Sequence, residues 1–189
     1  MRNRRNWIFF IAMVLLWGSN WAVMKTGLKI IDPLNFIMQR LFIASFALMF
    51  LLFYFRAKIP RDKKTWLFLL GLALINVTSM AFTNAGLVYE TSGIGSVLTY
   101  TQPLFVFGLA VLFLREGMSV KRVAGVIIGF LGVVLLYVGR NFSNQFLSYS
   151  VLLLLFGAFL WGVTMVYYKK FLSHVNPIVT NLFVFFIGA

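Results

Sequence analysis

Six stretches of this 189-residue chain are apolar enough and long enough to cross a bilayer, and a seventh begins near its last residue. They run Trp7–Ile30, Leu34–Phe55, Trp66–Tyr89, Gly93–Leu114, Val123–Gly139 and Ser148–Tyr168, followed by Pro177–Ala189. A helix needs ~20 mostly apolar residues to cross ~30 Å of hydrocarbon. Five of the complete stretches meet that length, and Val123–Gly139 is at its lower limit. In hydrocarbon every backbone N–H and C=O must be paired within the chain, which leaves helices or closed barrels. Runs this long and this apolar specify helices. The expected fold class is therefore an all-α, polytopic bundle of transmembrane helices.

Charge distribution sets the expected orientation. The net charge is +13, with 17 Lys and Arg against 4 Asp and Glu. Arg2, Arg4, Arg5, Arg56, Lys58, Arg61, Lys63, Lys64, Arg115, Lys121, Arg122, Lys169 and Lys170 fall on one side of the spans. Lys25, Lys29 and Arg140 fall on the other, and Arg40 lies inside the second span. Short loops rich in Lys and Arg stay in the cytoplasm. The N-terminus is expected there, in an inner or plasma membrane, with the basic residues against anionic headgroups. That distribution argues against nucleic acid as a partner. The first run outlasts the ~15-residue apolar core of a signal peptide and lacks an A-x-A-like cleavage site, so it reads as a retained span. Loops are short throughout, so no attached soluble domain is expected.

Several chemistries are not supported. There are no cysteines, hence no disulfide or thiolate metal site. The single histidine, His174, has no partner for a metal site. Paired carboxylates, a nucleophile beside a base and a P-loop are all missing from the sequence, so neither an enzyme nor ATP hydrolysis is expected, and no cofactor.

The chain echoes itself at an offset of 144 residues. Leu16-Trp17-Gly18 returns as Leu160-Trp161-Gly162, Lys25 as Lys169, Leu28 as Leu172 and Pro33 as Pro177. Five spans separate the copies, and an odd number reverses direction across the membrane. The pattern is that of an inverted repeat, in which two similar units can exchange roles around a site between them. The expected division is 1–147 as a first five-helix repeat and 148–189 as the start of a second.

Trp17-Gly18-Ser19-Asn20 in the first span, Arg40 in the second, the run from Thr99 through Thr101-Gln102-Pro103-Leu104 to Phe105, and Leu114-Arg115-Glu116 followed by Gly125-x-x-x-Gly129-x-x-Gly132 together resemble the EamA branch of the drug/metabolite transporter superfamily. The resemblance covers essentially the whole chain. It implies ten helices in two inverted five-helix repeats, and a transporter of small metabolites, often amino acids and often outward. On that comparison the second repeat is truncated. The remaining helices would then be needed as partners, and 1–189 alone is not expected to transport. The related small multidrug-resistance exporters carry a Glu in the first helix, and none stands here. A proton or other coupling ion remains open as a partner, but no acidic residue lies deep in a span to carry it.

Polar residues inside hydrocarbon usually face a cavity or another helix. Helical spacing puts Trp17, Asn20, Trp21 and Met24 on one face of the first span, and Asn76, Ser79, Thr83 and Asn84 on one face of the third. Ser92, Ser96, Thr99 and Gln102 share a face of the fourth. Trp161, Thr164, Met165 and Tyr168 share a face of the sixth. One reading is a central site with aromatic walls and amide groups suited to an amphipathic or zwitterionic solute. The other is that the hydroxyls bond neighbouring helices and the tryptophans sit at the interface. Candidate solute-binding residues are Trp17, Asn20, Trp21, Arg40, Asn76, Asn84, Thr99, Gln102 and Trp161. Arg40, roughly 10 Å into its helix, either holds a carboxylate, or pairs with Asp32 or Glu90, or snorkels to headgroups. Pro103 is a gating hinge or a fixed bend. The three glycines of the fifth span are expected to let helices pack closely, and Glu116 to tie a turn. The expected function is alternating-access movement of small metabolites. The alternatives are a membrane protein that assembles with or regulates a partner, and an inactive fragment of a transporter.

Overall fold

A computed structural model describes residues 2–115, 117, 119–138 and 148–189. The described residues form eight helices and no strand: α1 (Arg2–Gly27), α2 (Pro33–Phe55), α3 (Lys63–Tyr89), α4 (Ser92–Thr99), α5 (Gln102–Leu114), α6 (Val120–Val138), α7 (Tyr149–Phe171) and α8 (Pro177–Gly188). Five stretches are long and apolar enough to cross a membrane: Asn6–Gly27, α2, α3, Ser92–Leu114 and α7. Glu116, Arg140 and Asn144 lie outside the described residues, so the expected turn at Glu116 and the outer placement of Arg140 are not addressed by it.

Helix starts follow from side chains that cap them. Asp32 precedes Pro33 and accepts from the Leu34 N–H at 3.0 Å. Proline at a first helical position loses no bond, because that N–H has no partner within the helix. Asn176 precedes Pro177 and accepts from the Ile178 N–H at 2.9 Å. These caps are 144 residues apart, so the sequence echo has a structural counterpart. The bonds around them match as well: Leu28 N–H to Met24 O and Leu172 N–H to Tyr168 O, then Phe36 N–H to Asp32 O and Thr180 N–H to Asn176 O. Asp62 caps α3 by accepting from the Thr65 N–H at 2.8 Å. The Thr65 hydroxyl and then its backbone N–H hold the Asp62 carboxyl below the usual carboxylate range. Its contribution is therefore fully present above that range and is lost as the pH falls below it, through the lowered folded-state value.

The expected fourth span is two helices rather than one. Pro103 cannot sit in the middle of a regular helix, because its ring would strike the carbonyl four residues back, that of Thr99. The chain answers by ending α4 at Thr99 and starting α5 at Gln102, with Pro103 in the first turn of α5. Tyr100 N–H bonds Ser96 O at 2.9 Å, and the Thr101 hydroxyl bonds Leu98 O at 2.6 Å. Pro103 is thus a helix start and not a mid-helix kink. The break also divides the expected Ser92–Gln102 face, leaving Gln102 on a different helix from Ser92, Ser96 and Thr99.

Packing centres on α3 against α7. A Cβ built on Gly157 would collide with Thr83 Oγ1 and come within 3.0 Å of the Thr83 nitrogen and 3.1 Å of Ser79 O. One on Gly86 would come within 2.8 Å of Ser150 O. Small residues permit this approach of two backbones. One buried cluster joins Leu52, Leu69, Leu72, Ala73 and Leu172 to α8 through Val179 and Leu182. A second joins Trp21, Met24, Leu87, Leu98, Val151 and Leu154. The two clusters grip opposite ends of α3.

The glycines of α6 behave otherwise than expected. Among the described residues, nothing lies within 4 Å of a Cβ built on Gly125, Gly129 or Gly132. Gly125 and Gly129 instead border a groove of about 440 Å³ shared with Tyr100, Pro103, Leu104 and Phe107. Gly157→Ala should therefore lower the thermal stability of the purified protein by about 1–3 kcal/mol through overpacking. Gly129→Ala should be neutral or stabilising by up to ~1 kcal/mol, the ordinary helical gain of Ala over Gly. Melting temperatures in detergent check both.

Candidate functional site

Between the two clusters, the middle of α3 faces a cavity of about 650 Å³. Solute pockets typically span ~300–1,000 Å³. α1 contributes Trp17, Asn20, Trp21 and Met24, with Leu16 and Met13 a turn earlier. α2 contributes Arg40, α3 contributes Asn76, Ser79, Met80, Thr83 and Asn84, α7 contributes Trp161, and α8 contributes Phe185. Seven of the nine residues singled out in the sequence line this one space. Thr99 and Gln102 do not: Thr99 is buried, with its hydroxyl unpaired, and Gln102 opens α5.

The α3 stripe divides by chemistry. Ser79 donates to Gly157 O at 2.8 Å, and Thr83 donates to Ser79 O at 2.9 Å. Those hydroxyls are spent on helix packing. The amides are not. Asn84 is only 1% exposed, and neither its oxygen nor its nitrogen has a hydrogen-bond partner among the described residues. Asn76 Oδ1 is buried and equally unpaired. A buried polar atom without a partner costs about 1–3 kcal/mol, so such atoms concentrate where something else bonds them.

Arg40 points to the same place. Its Nη2 donates to Asn20 Oδ1 at 3.2 Å, and its guanidinium carbon lies 5.5 Å from the centre of the Phe36 ring. Its Nη1 is buried with no partner. The alternative of an ion pair with Asp32 or Glu90 is not seen among the described residues: Asp32 caps α2, and Glu90 accepts from the Ser150 hydroxyl at 2.6 Å. Trp21 is 6% exposed, packs edge-on against Tyr100, and leaves its Nε1 unpaired. Trp17 lines the cavity and is half exposed.

The expected face of α7 does not hold together. Trp161 lines the cavity, Thr164 is buried with its hydroxyl returned to Leu160 O, Met165 is exposed, and Tyr168 packs into the first cluster. Sequence reasoning missed Met80, Met13 and Phe185. Met80 was readable, since 76, 80 and 84 share a helical face. Phe185 shares a face of α8 with Asn181, four residues earlier, a spacing the sequence reading did not use. It also missed the Lys25 ammonium, which bonds Leu87 O at 2.8 Å and Val88 O at 2.7 Å and so ties α1 to the last turn of α3.

Comparison with known proteins places this arrangement. Residues 5–138 match the EamA-like transporter family. The chain is 31% identical over 182 residues to the uncharacterized transporter YoaV of Bacillus subtilis, covering 95% of this chain and 62% of that protein. It is 34% identical to the uncharacterized transporter YvbV of the same organism, over 88% of this chain and 54% of that protein. It is 27% identical to a probable amino-acid metabolite efflux pump of Escherichia coli, over 95% of this chain and 59% of that one. The chain thus spans somewhat over half the length of these relatives. No solved structure matches it. The chain belongs to the EamA-like transporter family, within the drug/metabolite transporter superfamily, and is a multi-pass membrane protein.

The contrast between amides and hydroxyls on α3 gives a stability test. Asn84→Leu removes two unpaired polar atoms at similar volume, so the melting temperature should hold or rise. Ser79→Ala removes a bond between helices and should cost about 0.6 kcal/mol.

Proposed function

We propose that this chain carries the solute site of a membrane transporter that moves small amphipathic or amino-acid-like metabolites by alternating access, in the direction of export. The observation that carries the reading is the cavity on α3, where Arg40, Asn76, Asn84 and Trp21 present unpaired polar atoms inside an aromatic wall. Buried amides and a charge without partners are costly in a membrane protein, and mark solute pathways. Similarity to the Escherichia coli protein named a probable amino-acid metabolite efflux pump favours export. The repeated caps at Asp32 and Asn176 favour two units that exchange roles, 1–147 and the one beginning at 148. The break at Tyr100–Thr101 before Pro103 supplies a joint for that exchange. The basic asymmetry supports a cytoplasmic N-terminus, and an inner or plasma membrane is the location that goes with this reading.

Two measurements test this. Reporters fused after Lys64 or Lys170 should read cytoplasm, and reporters near Asp32 or Glu90 should read the outside. The opposite pattern overturns the orientation. Trp17→Ala and Asn20→Ala, in the whole protein reconstituted in liposomes, should cut amino-acid counterflow roughly tenfold or more at unchanged protein level, the scale of one lost charge-assisted or aromatic contact. Unaltered counterflow in both variants contradicts the site.

A further inference from the structure

The charge balance of the cavity says more than its size. It is lined by one formal charge, Arg40, and by no carboxylate among the described residues. The chain has four acidic residues. Asp32 and Asp62 are spent as helix caps, and Glu90 is held by Ser150. The fourth, Glu116, lies outside the described residues. Among the described residues, the cation that the wall presents has no counter-charge on the wall. A guanidinium keeps its proton under all ordinary conditions, so Arg40 offers an anion a fixed positive charge.

The unpaired atoms point the same way. Arg40 Nη1 and Trp21 Nε1 can only donate, and the Asn84 amide offers a further donor whichever way it is turned. Asn20 Oδ1 and the Phe36 ring hold the guanidinium at the cavity wall, with Nη1 buried and without a partner among the described residues. For an ammonium group the cavity offers only neutral amide oxygens and aromatic faces. The remaining wall is apolar, formed by Met13, Leu16, Trp17, Met80, Trp161 and Phe185.

We propose that the cavity selects amphipathic organic monoanions, with the carboxylate on Arg40 and the apolar body against the aromatic wall, and that an amino group on the solute is tolerated rather than required. The inference rests on the cavity being the solute site and adds the class of solute it takes. A guanidinium–carboxylate contact is short, directional and stronger than a neutral hydrogen bond. It also removes the uncompensated charge, which neither an amine nor a neutral alcohol can do.

Calorimetric titration of the full chain in phosphatidylcholine nanodiscs tests it, with 3-phenylpropionate, phenylalanine and phenethylamine as probes of one size. The expected order of affinity is 3-phenylpropionate at or above phenylalanine, and both at least about tenfold above phenethylamine. Arg40→Gln should weaken 3-phenylpropionate by about tenfold or more and leave phenethylamine unchanged, while Arg40→Lys should restore part of the loss. Asn20→Asp places a carboxylate where Nη2 already bonds. It should abolish 3-phenylpropionate binding while keeping or raising the melting temperature, a readout that a purely structural role would not produce. Phenethylamine binding as tightly as 3-phenylpropionate, or an unaltered affinity in both Arg40→Gln and Asn20→Asp, overturns this inference and leaves the cavity reading intact. Loss of 3-phenylpropionate binding on adding phosphatidylglycerol assigns Arg40 to lipid phosphate and overturns it too. If none of the three probes binds to protein with a cooperative melting transition, the inference and the cavity reading both fall.

Discussion

The distance between α3 and α7 determines most of what else the molecule does. In a bilayer no hydrophobic effect drives two apolar helices together, so they meet through van der Waals packing and hydrogen bonds between them. Gly86 and Gly157 remove the side chains that would hold these two backbones apart. The resulting approach lets Ser79 reach the carbonyl of Gly157. Helix α7 then presents Gly162 to α5, where a Cβ would come within 3.0 Å of Phe105 Cβ. With α3 fixed in this way, its amides cannot turn toward lipid. They face the space between two packed clusters, and Arg40 and the tryptophans of α1 close round it.

The cavity is a region where the usual rule for membrane helices is relaxed. Along α3 and α7 the hydroxyls of Thr78, Thr83 and Thr164 bond the carbonyl one turn back, and that of Ser79 bonds the neighbouring helix. Around the cavity Arg40 Nη1, Trp21 Nε1, Asn76 Oδ1 and both polar atoms of the Asn84 amide have no partner among the described residues. Their orientation is supported from behind: Asn20 holds Arg40, Tyr100 packs against Trp21, and Lys25 anchors α1 to the end of α3. The supporting contacts fix the donors without consuming them.

Much of this was legible in the sequence because membrane physics leaves few alternatives. Length and apolarity fixed the spans to within a few residues, and period-3.6 spacing placed Trp17, Asn20, Trp21, Asn76 and Asn84 on faces that do converge. The echo between Pro33 and Pro177 reappears as matching caps. What failed depended on tertiary context. Pro103 reads the same whether a helix bends or restarts, and only the bonds of Tyr100 and Thr101 show a restart. Glycine spacing alone does not say whether a partner arrives, and at Gly129 none does among the described residues, whereas the isolated Gly157 meets the backbone of α3. The partners imagined for Arg40 were already committed to a cap and to a serine, which no periodicity reveals.

The central claim is that the amide face of α3 borders a space open to solute and not a lipid-facing seam. The chain has no cysteine, so a single introduced thiol can be followed without background. Asn76→Cys lies on the cavity and Phe42→Cys on an exposed, apolar part of α2. A charged, membrane-impermeant thiosulfonate reagent applied to the protein in liposomes should modify Asn76→Cys readily and Phe42→Cys barely. Equal rates at the two positions, or no reaction at Asn76→Cys, would contradict the account.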